Sequence, residues 1–258
     1  MTVSLNWVMT LPPNISADKF DSWYLGTHTK YGKASAHILR YVVNRAYATQ
    51  PRAAVGNVYR IAQEYWRDWE QFEACWNSPS GHAVLGDGLV NIGLDPATIP
   101  GIAITNDVQF EVAHPANFSS IKRGYRGSSD GSITKLLVYG LTSNTDIARW
   151  YTDRFHALGG NPLIREHVFG TSLGRSLQIG YLSALPGPGQ LSYDWLLELW
   201  FDDVRSADTF LGNEQAVELW NSLAQETEIR ASTLCRGQEM QRLVGRHFVG
   251  PFGKTRLL

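Results

Sequence analysis

The sequence predicts an α+β fold in which one ferredoxin-like βαββαβ unit is built twice and the two copies close on each other as a single-chain barrel. Three observations carry this. Strand, helix, strand, strand, helix, strand can be read through the first half, and the same order restarts near residue 133. Short stretches also match between the halves: Trp23-Tyr24 with Trp150-Tyr151 at an offset of 127 (150 minus 23), and Glu64-x-Trp66-x-Asp68 with Glu198-x-Trp200-x-Asp202 at an offset of 134 (198 minus 64). Two open antiparallel sheets cover each other's exposed faces by packing together, so duplication itself leads to a barrel. The expected division is a first repeat over 1–113, a linker over 114–132 and a second repeat over 133–258.

The elements follow in order. Ser4–Leu11 alternates, with Leu5, Trp7, Met9 and Leu11 on one face, as a half-buried strand does. Ser16 can cap a helix that carries Phe20, Trp23 and Tyr24 on one stripe and loosens at Gly26. His37–Tyr47 reads as the second strand, with His37, Leu39, Tyr41, Val43 and Arg45 on one face and Ile38, Arg40, Val42, Asn44 and Ala46 on the other. Val58–Trp66 is its return, Trp69–Leu85 a helix interrupted at Asn-Ser-Pro, and Ile102–Val112 the fourth strand. His114–Ser132 is rich in Gly and Ser and aperiodic, hence the linker. In the second half the strands are Ile133–Tyr139, Leu163–Phe169, Tyr193–Phe201 and Met240–Val249; the helices follow a cap at Asp146 and span Ala207–Ala224.

Composition narrows the partners. With 23 basic and 24 acidic residues among 258, the chain has no footprint for nucleic acid and no basic cluster for a membrane surface. A small molecule or a second copy is the expected partner, and a monomeric pseudo-dimer or a homo-oligomer the expected state. Cys75 and Cys235 are the two cysteines, without zinc or disulfide spacing, which fits a reducing cytoplasm. Neither a secretory leader nor a membrane span is expected. Nine Trp and eleven Tyr point to a site for a flat, mostly apolar ligand.

The stretches DKFDSWYLGTHTKYGKASAHILRYVVNRA with EYWRDWEQFEACWNSPSGHAVLGD, and ARWYTDRFHALGGNPLIREHV with LELWFDDVRSADTFLGNEQAVEL, resemble the EthD-type branch of the dimeric α+β barrel proteins. The resemblance implies two ferredoxin-like units, a site between sheet and helices, and chemistry that often needs no metal. That superfamily includes lactone isomerases, decarboxylases, cofactor-free oxygenases, lyases and haem proteins, so the fold leaves the reaction open. It also implies a polar marker histidine at the end of the first helix. This corresponds to His28 and, with one extra residue of spacing, to His156; neither is followed two residues later by the proline usual there.

The candidate residues follow. An imidazole is the simplest acid or base for an enolisable or phenolic substrate, which makes His28 the first choice and His156 its counterpart. His37 and Tyr41 can hold a substrate oxygen, and Arg45 or Arg40 can neutralise a carboxylate or oxyanion. His167 shares a face with Arg165 in the second half. Glu64 and Glu198 lie in apolar strands where burial raises a carboxyl pKa; each suits a general base or, alternatively, an ion pair with Arg40 or Arg165. Tyr24 orients the substrate, while Trp7, Trp66 and Trp200 wall its ring.

These residues point to a lyase, isomerase or decarboxylase without a cofactor, acting on a small aromatic or polyketide-like compound in aromatic catabolism. The alternatives are a haem-binding or non-catalytic ligand-binding barrel and a serine hydrolase. For the latter, Gly170-Thr171-Ser172-Leu173-Gly174 fits G-x-S-x-G, with Asp202 and His247 downstream, although the motif falls in an expected hairpin loop. Nucleotide, zinc-protease and calcium motifs have no match.

Overall fold

The computed structural model describes residues 3–35, 37–51, 54–92, 101–107, 133–142, 147–172, 193–244, 247–249 and 255–257. β1 (Val3–Met9) lies within the alternating stretch, but it is buried on both faces rather than half-buried, because Ser4, Asn6 and Val8 turn inward as Leu5, Trp7 and Met9 face the helices. Ser16 caps α1 (Ala17–Trp23) by accepting the Lys19 amide at 3.3 Å. The helix does not loosen at Gly26. It widens into a π-turn, Tyr24–His28, and runs on as α2 (Thr29–Ala34), with the Thr29 hydroxyl donating to the Leu25 carbonyl at 2.8 Å.

β2 (Arg40–Ala46) starts later than its periodicity suggests, because His37 is an exposed turn residue in the left-handed region, φ 61. β3 (Arg60–Trp66) leads through the cap Asp68 into α3 (Trp69–Trp76), and α4 (Pro79–Ile92) follows two residues on. β4 is Gly101–Asp107. The expected linker and the Asp146 cap lie outside the described residues.

The second half comprises β5 (Ile133–Thr142), α5 (Ile147–Gly159), β6 (Glu166–Ser172) and β7 (Trp195–Phe201). Asp203 caps α6 (Val204–Leu211) and Asn213 caps α7 (Glu214–Glu226). The last long strand is a correction: β8 covers Thr227–Val244, before and beyond the start expected at Met240, and the short β9 (His247–Val249) and β10 (Thr255–Leu257) follow. The early start follows from its pairing. β8 hydrogen-bonds β5 through Thr227–Gly237 and β2 through Cys235–Arg242, so it needs the length to serve two neighbours.

Among the described residues the strand pairings are all antiparallel, and the sheet curls until its order returns on itself: β2-β3-β1-β4-β6-β7-β5-β8 and back to β2. Register then decides which side chains meet. Leu5, Trp7, Tyr41, Val43, Ala62 and Trp66 face the helices and pack with Phe20, Trp23, Tyr24, Phe72 and Trp76; a second cluster packs α5–α7 onto β5 and β7 through residues such as Leu136, Trp150, Leu199 and Phe210. The opposite face of the ring encloses Val8, Ile61, Leu137, Tyr139, Leu196 and Cys235.

That inner side also holds a buried polar network. Gln63 donates to Asn6 Oδ1 at 3.0 Å and Glu198 Oε2 at 2.9 Å, and its carbonyl accepts from Asn44 at 2.9 Å and Lys135 Nζ at 3.2 Å. Lys135 and Glu198 form an ion pair, both side chains at most 1% exposed. Strand propensity and alternation fold this segment inward, and the pairing makes the burial tolerable.

The inner network corrects the internal match. Asp68 and Asp203 cap corresponding eight-residue helices, an offset of 135 (203 minus 68), so Glu64 aligns with Leu199 and Gln63 with Glu198. A one-residue slip in a strand exchanges its faces. Glu64 and Trp66 therefore lie under the helices, whereas Glu198 and Trp200 point into the ring.

Candidate functional site

The π-turn ends on His28, four positions after Tyr24. The two rings lie 4.9 Å apart, and the Trp23 ring is 4.7 Å from the imidazole. Across from them, α4 presents Asp87, whose Oδ2 stands 2.9 Å from His28 Nδ1. Asp87 Oδ1 accepts Asn91 Nδ2 at 2.6 Å, which holds the carboxylate from its other side. The Asp87 side chain is 1% exposed and that of His28 16% exposed, so the dyad is shielded yet reachable from one side.

An ionised carboxylate only accepts, so Nδ1–H donates to Asp87 and the lone pair of neutral His28 resides on Nε2. Removal from water lowers the His28 pKa; the Asp87 contact opposes this, but burial prevails and Arg60 adds to it. A neutral imidazole oriented by a carboxylate is a general base.

Along the sheet from the dyad, Tyr24 and Tyr41 hydroxyls meet at 3.2 Å. Tyr41 is opposite Glu64 in the β2–β3 ladder, and Glu64 opposite Leu5 in the β1–β3 ladder. Burial pushes the Glu64 carboxyl up to about 8, against the lowering effect of the Trp7 indole bond, so at neutral pH it is an acid holding its proton. Glu64 Oε2 has no hydrogen-bond partner among the described residues, and the same is true of Nε1 of Trp23, Trp66 and Trp76.

Arg60, on the same face of β3, is buried with its Cζ 4.5 Å from the Tyr24 ring centre and is ion-paired with Asp21. The arrangement brings together a base, a neutral acid, two phenols and a guanidinium between α1–α4 and the first strands. It can move a proton and stabilise an oxyanion.

The structure separates other expected members. His37 is exposed and outside β2. Arg45 is held by Asp21 at 3.2 Å and by the Tyr59 ring at 3.5 Å, an ion pair at the sheet margin. Arg40 and Trp200 lie inside the ring, 5.5 Å apart from guanidinium carbon to ring centre, on the side away from Glu64. The suggested Glu64–Arg40 pair is therefore replaced by opposite faces, and Glu198 pairs with Lys135 while Arg165 pairs with Asp202. His167 lies in the second half, accepting or donating at 2.8 Å to the Tyr151 hydroxyl, with burial lowering its pKa to about 4. His156 lies on α5, and its side chain is outside the described ones. Ser172 is a ladder residue opposite Thr105, and the residues after it lie outside the described part.

Asp87, Asn91 and Arg60 were not among the sequence candidates. Their signal is weak: the helix pattern ends at Leu85, two residues before Asp87, and Arg60 reads as an ordinary strand-edge cation. Among the described residues, no group of three His, Cys, Asp or Glu is arranged to hold a metal ion, and no helix is long and apolar enough to cross a membrane.

A curled antiparallel sheet with helices against its outer face, and an aromatic-lined acid/base cluster between them, defines a barrel-type α+β protein. Residues 12–91 match the EthD domain family. An EthD family protein from Bacillus halodurans is similar at 20% identity over 34% of this chain and 85% of its own, with TM-score 0.31. An anthrone oxidase-like protein aligns over 92% of both chains at 11% identity and TM-score 0.54, which shows a shared fold along the chain. Chlorite dismutase from Candidatus Nitrospira defluvii, in complex with imidazole, aligns over 92% of this chain and 90% of its own at 7% identity and TM-score 0.49. No curated protein matches the sequence at a significant level.

Proposed function

We propose that the protein is a cofactor-independent acid/base enzyme, a lyase, isomerase or decarboxylase, acting on a small aromatic or polyketide-like compound at the first-half site. The observation that carries this reading is the His28–Asp87 dyad, 2.9 Å, beside the protonated Glu64. In this scheme Nε2 of His28 takes a proton from an enolisable or phenolic carbon or oxygen. Asp87 stabilises the imidazolium that forms, and the Tyr24–Tyr41 hydroxyl pair or the Glu64 carboxyl donates to the developing oxyanion. Trp7, Trp23 and Trp66 pack around the ring of the substrate.

The fold supports a finer reading too: two tandem ferredoxin-like repeats, 1–113 and 133–258 joined by 114–132, forming an intramolecular version of the dimeric barrel. The element order, the paired caps Asp68 and Asp203, and the ring of strands support it. The two buried free thiols, Cys75 and Cys235, support a cytoplasmic setting.

The test is proton exchange. The name of the anthrone oxidase-like neighbour suggests anthrone, an enolisable aromatic ketone, as the probe. Wild-type protein in deuterated buffer should accelerate exchange at the acidic carbon, and His28→Ala should lose roughly 10² to 10⁴ of that acceleration. Equal exchange by the variant would remove His28 from the mechanism. A Soret band in the purified protein would favour the haem-binding alternative.

A further inference from the structure

The second half contains a cavity of about 370 Å³ between α5 and the α6–α7 pair, in the size range of sites for small organic ligands. Its location corresponds to that of the dyad in the first half. Ser222 stands 19 residues after the cap Asp203 (222 minus 203), as Asp87 stands 19 after Asp68 (87 minus 68). Trp150 is the counterpart of Trp23, and its indole donates to Ser222 Oγ at 3.0 Å.

The chemistry there is different. Arg154 donates through Nη1 to the Trp150 carbonyl at 3.2 Å and through Nη2 to Ser222 Oγ, with its Cζ 4.9 Å from the Trp150 ring centre. Those contacts use two of the five N–H groups of the guanidinium and fix its plane. Ser222 Oγ already accepts two bonds, so its own O–H is left to donate. The opposite wall is apolar, with Leu158, Ile164, Phe210 and Leu219 all buried. Where the first half sets a carboxylate against an imidazole, the second sets a hydroxyl and a fixed cation over a greasy floor. Among the described residues Arg154 has no ion-pair partner; Glu218, one turn before Ser222, is exposed at the rim.

We propose that this cavity is a second ligand site, one that binds a small amphipathic carboxylic acid. The carboxylate engages Arg154 and Ser222 O–H, and the hydrocarbon or aryl part lies on Leu158, Ile164, Phe210 and Leu219. The site binds without catalysing, because neither a base–carboxylate dyad nor a buried acid accompanies Arg154 among the described lining residues. It is independent of the reaction assigned to the first half.

The experiment compares 2-naphthoate with its neutral isostere 2-naphthamide by titration calorimetry on the full chain. Naphthoate should bind one to one and at least about tenfold more tightly than the amide, the size of one charge-assisted contact. Arg154→Gln should abolish the preference while leaving the amide unchanged, and Glu218→Gln should tighten naphthoate by relieving repulsion at the rim. His28→Ala should leave naphthoate binding as in the wild type, which separates this cavity from the first-half site. Equal affinity of wild-type protein for the two compounds, absence of binding at millimolar naphthoate, or a preference that survives Arg154→Gln would each overturn the proposal. The wild-type comparison needs no variant and so stands even if Arg154→Gln fails to fold.

Discussion

His28 Nδ1 and Asp87 Oδ2 stand 2.9 Å apart although they are 59 positions apart in the chain. The π-turn delivers one and the third turn of α4 delivers the other, so the contact exists only once α1–α2 and α4 share the same sheet face. Asn91 holds the far oxygen of Asp87, leaving the carboxylate little choice of orientation. Asp87→Asn is expected to lower proton-exchange activity at least about tenfold while the substrate still binds, because an amide can present its NH₂ to Nδ1 and favour the wrong tautomer. The measurement is the split between turnover and KM, and a purely structural role would move both together or melt the protein.

Glu64 sets one limb of the stability profile. Folded, it keeps its proton up to about pH 8; unfolded, it loses it near 4.5. Between those values the folded state binds the extra proton, so stability falls as pH rises, at up to about 1.4 kcal/mol per pH unit. Glu64→Gln should remove this slope. Urea titrations at about pH 5.5 and about pH 8 read it, and an unchanged slope in the variant would show that another group titrates.

His167 acts with the opposite sign. Its pKa falls from 6.5 to about 4 on folding, so the unfolded chain takes up the proton first as the solution is acidified. Stability should therefore drop as pH falls from about 6.5 towards about 4, by on the order of 2 to 3 kcal/mol in total. His167→Gln keeps a partner for the Tyr151 hydroxyl and should flatten this acid limb.

Lys135 and Glu198 test the inside of the ring. Both side chains are buried, and Gln63 contacts each. Lys135→Met leaves an unpaired carboxylate and should cost about 3 to 5 kcal/mol, whereas the double variant with Glu198→Leu should recover a large part of that loss. Denaturation midpoints of the two variants decide it; equal destabilisation would mean that the network matters through Gln63 rather than through the ion pair.

Gly32 tests the contact between α2 and the site. A Cβ there would come within 2.7 Å of Tyr41 Cε1, so Gly32→Ala must displace the Tyr41 ring from beneath α2. A loss of about 1 to 3 kcal/mol is expected, as for overpacking elsewhere. The Tyr24–Tyr41 bond should weaken with it, read as an increase in proton-exchange KM.

The sequence by itself determined the element types, their order and the aromatic layer under the helices. Alternation in β1, the cap Ser16 and the repeated Trp-Tyr pair are local signals, and local backbone and burial preferences suffice to read them. Glu64 is legible as a carboxyl in an apolar strand, Tyr24 and Tyr41 from the periodicity of their elements, and His28 from the family resemblance. Only the tertiary structure decided which of them meet. Strand faces depend on register to a single residue, so matching Glu64 to Glu198 by motif put two carboxyls in one environment when the ladders put them on opposite faces. Arg40 and Trp200 went inside the ring for the same reason, and Lys135 became the partner of Glu198. Asp87 reaches His28 through helix packing across 59 residues, a distance over which periodicity carries no information.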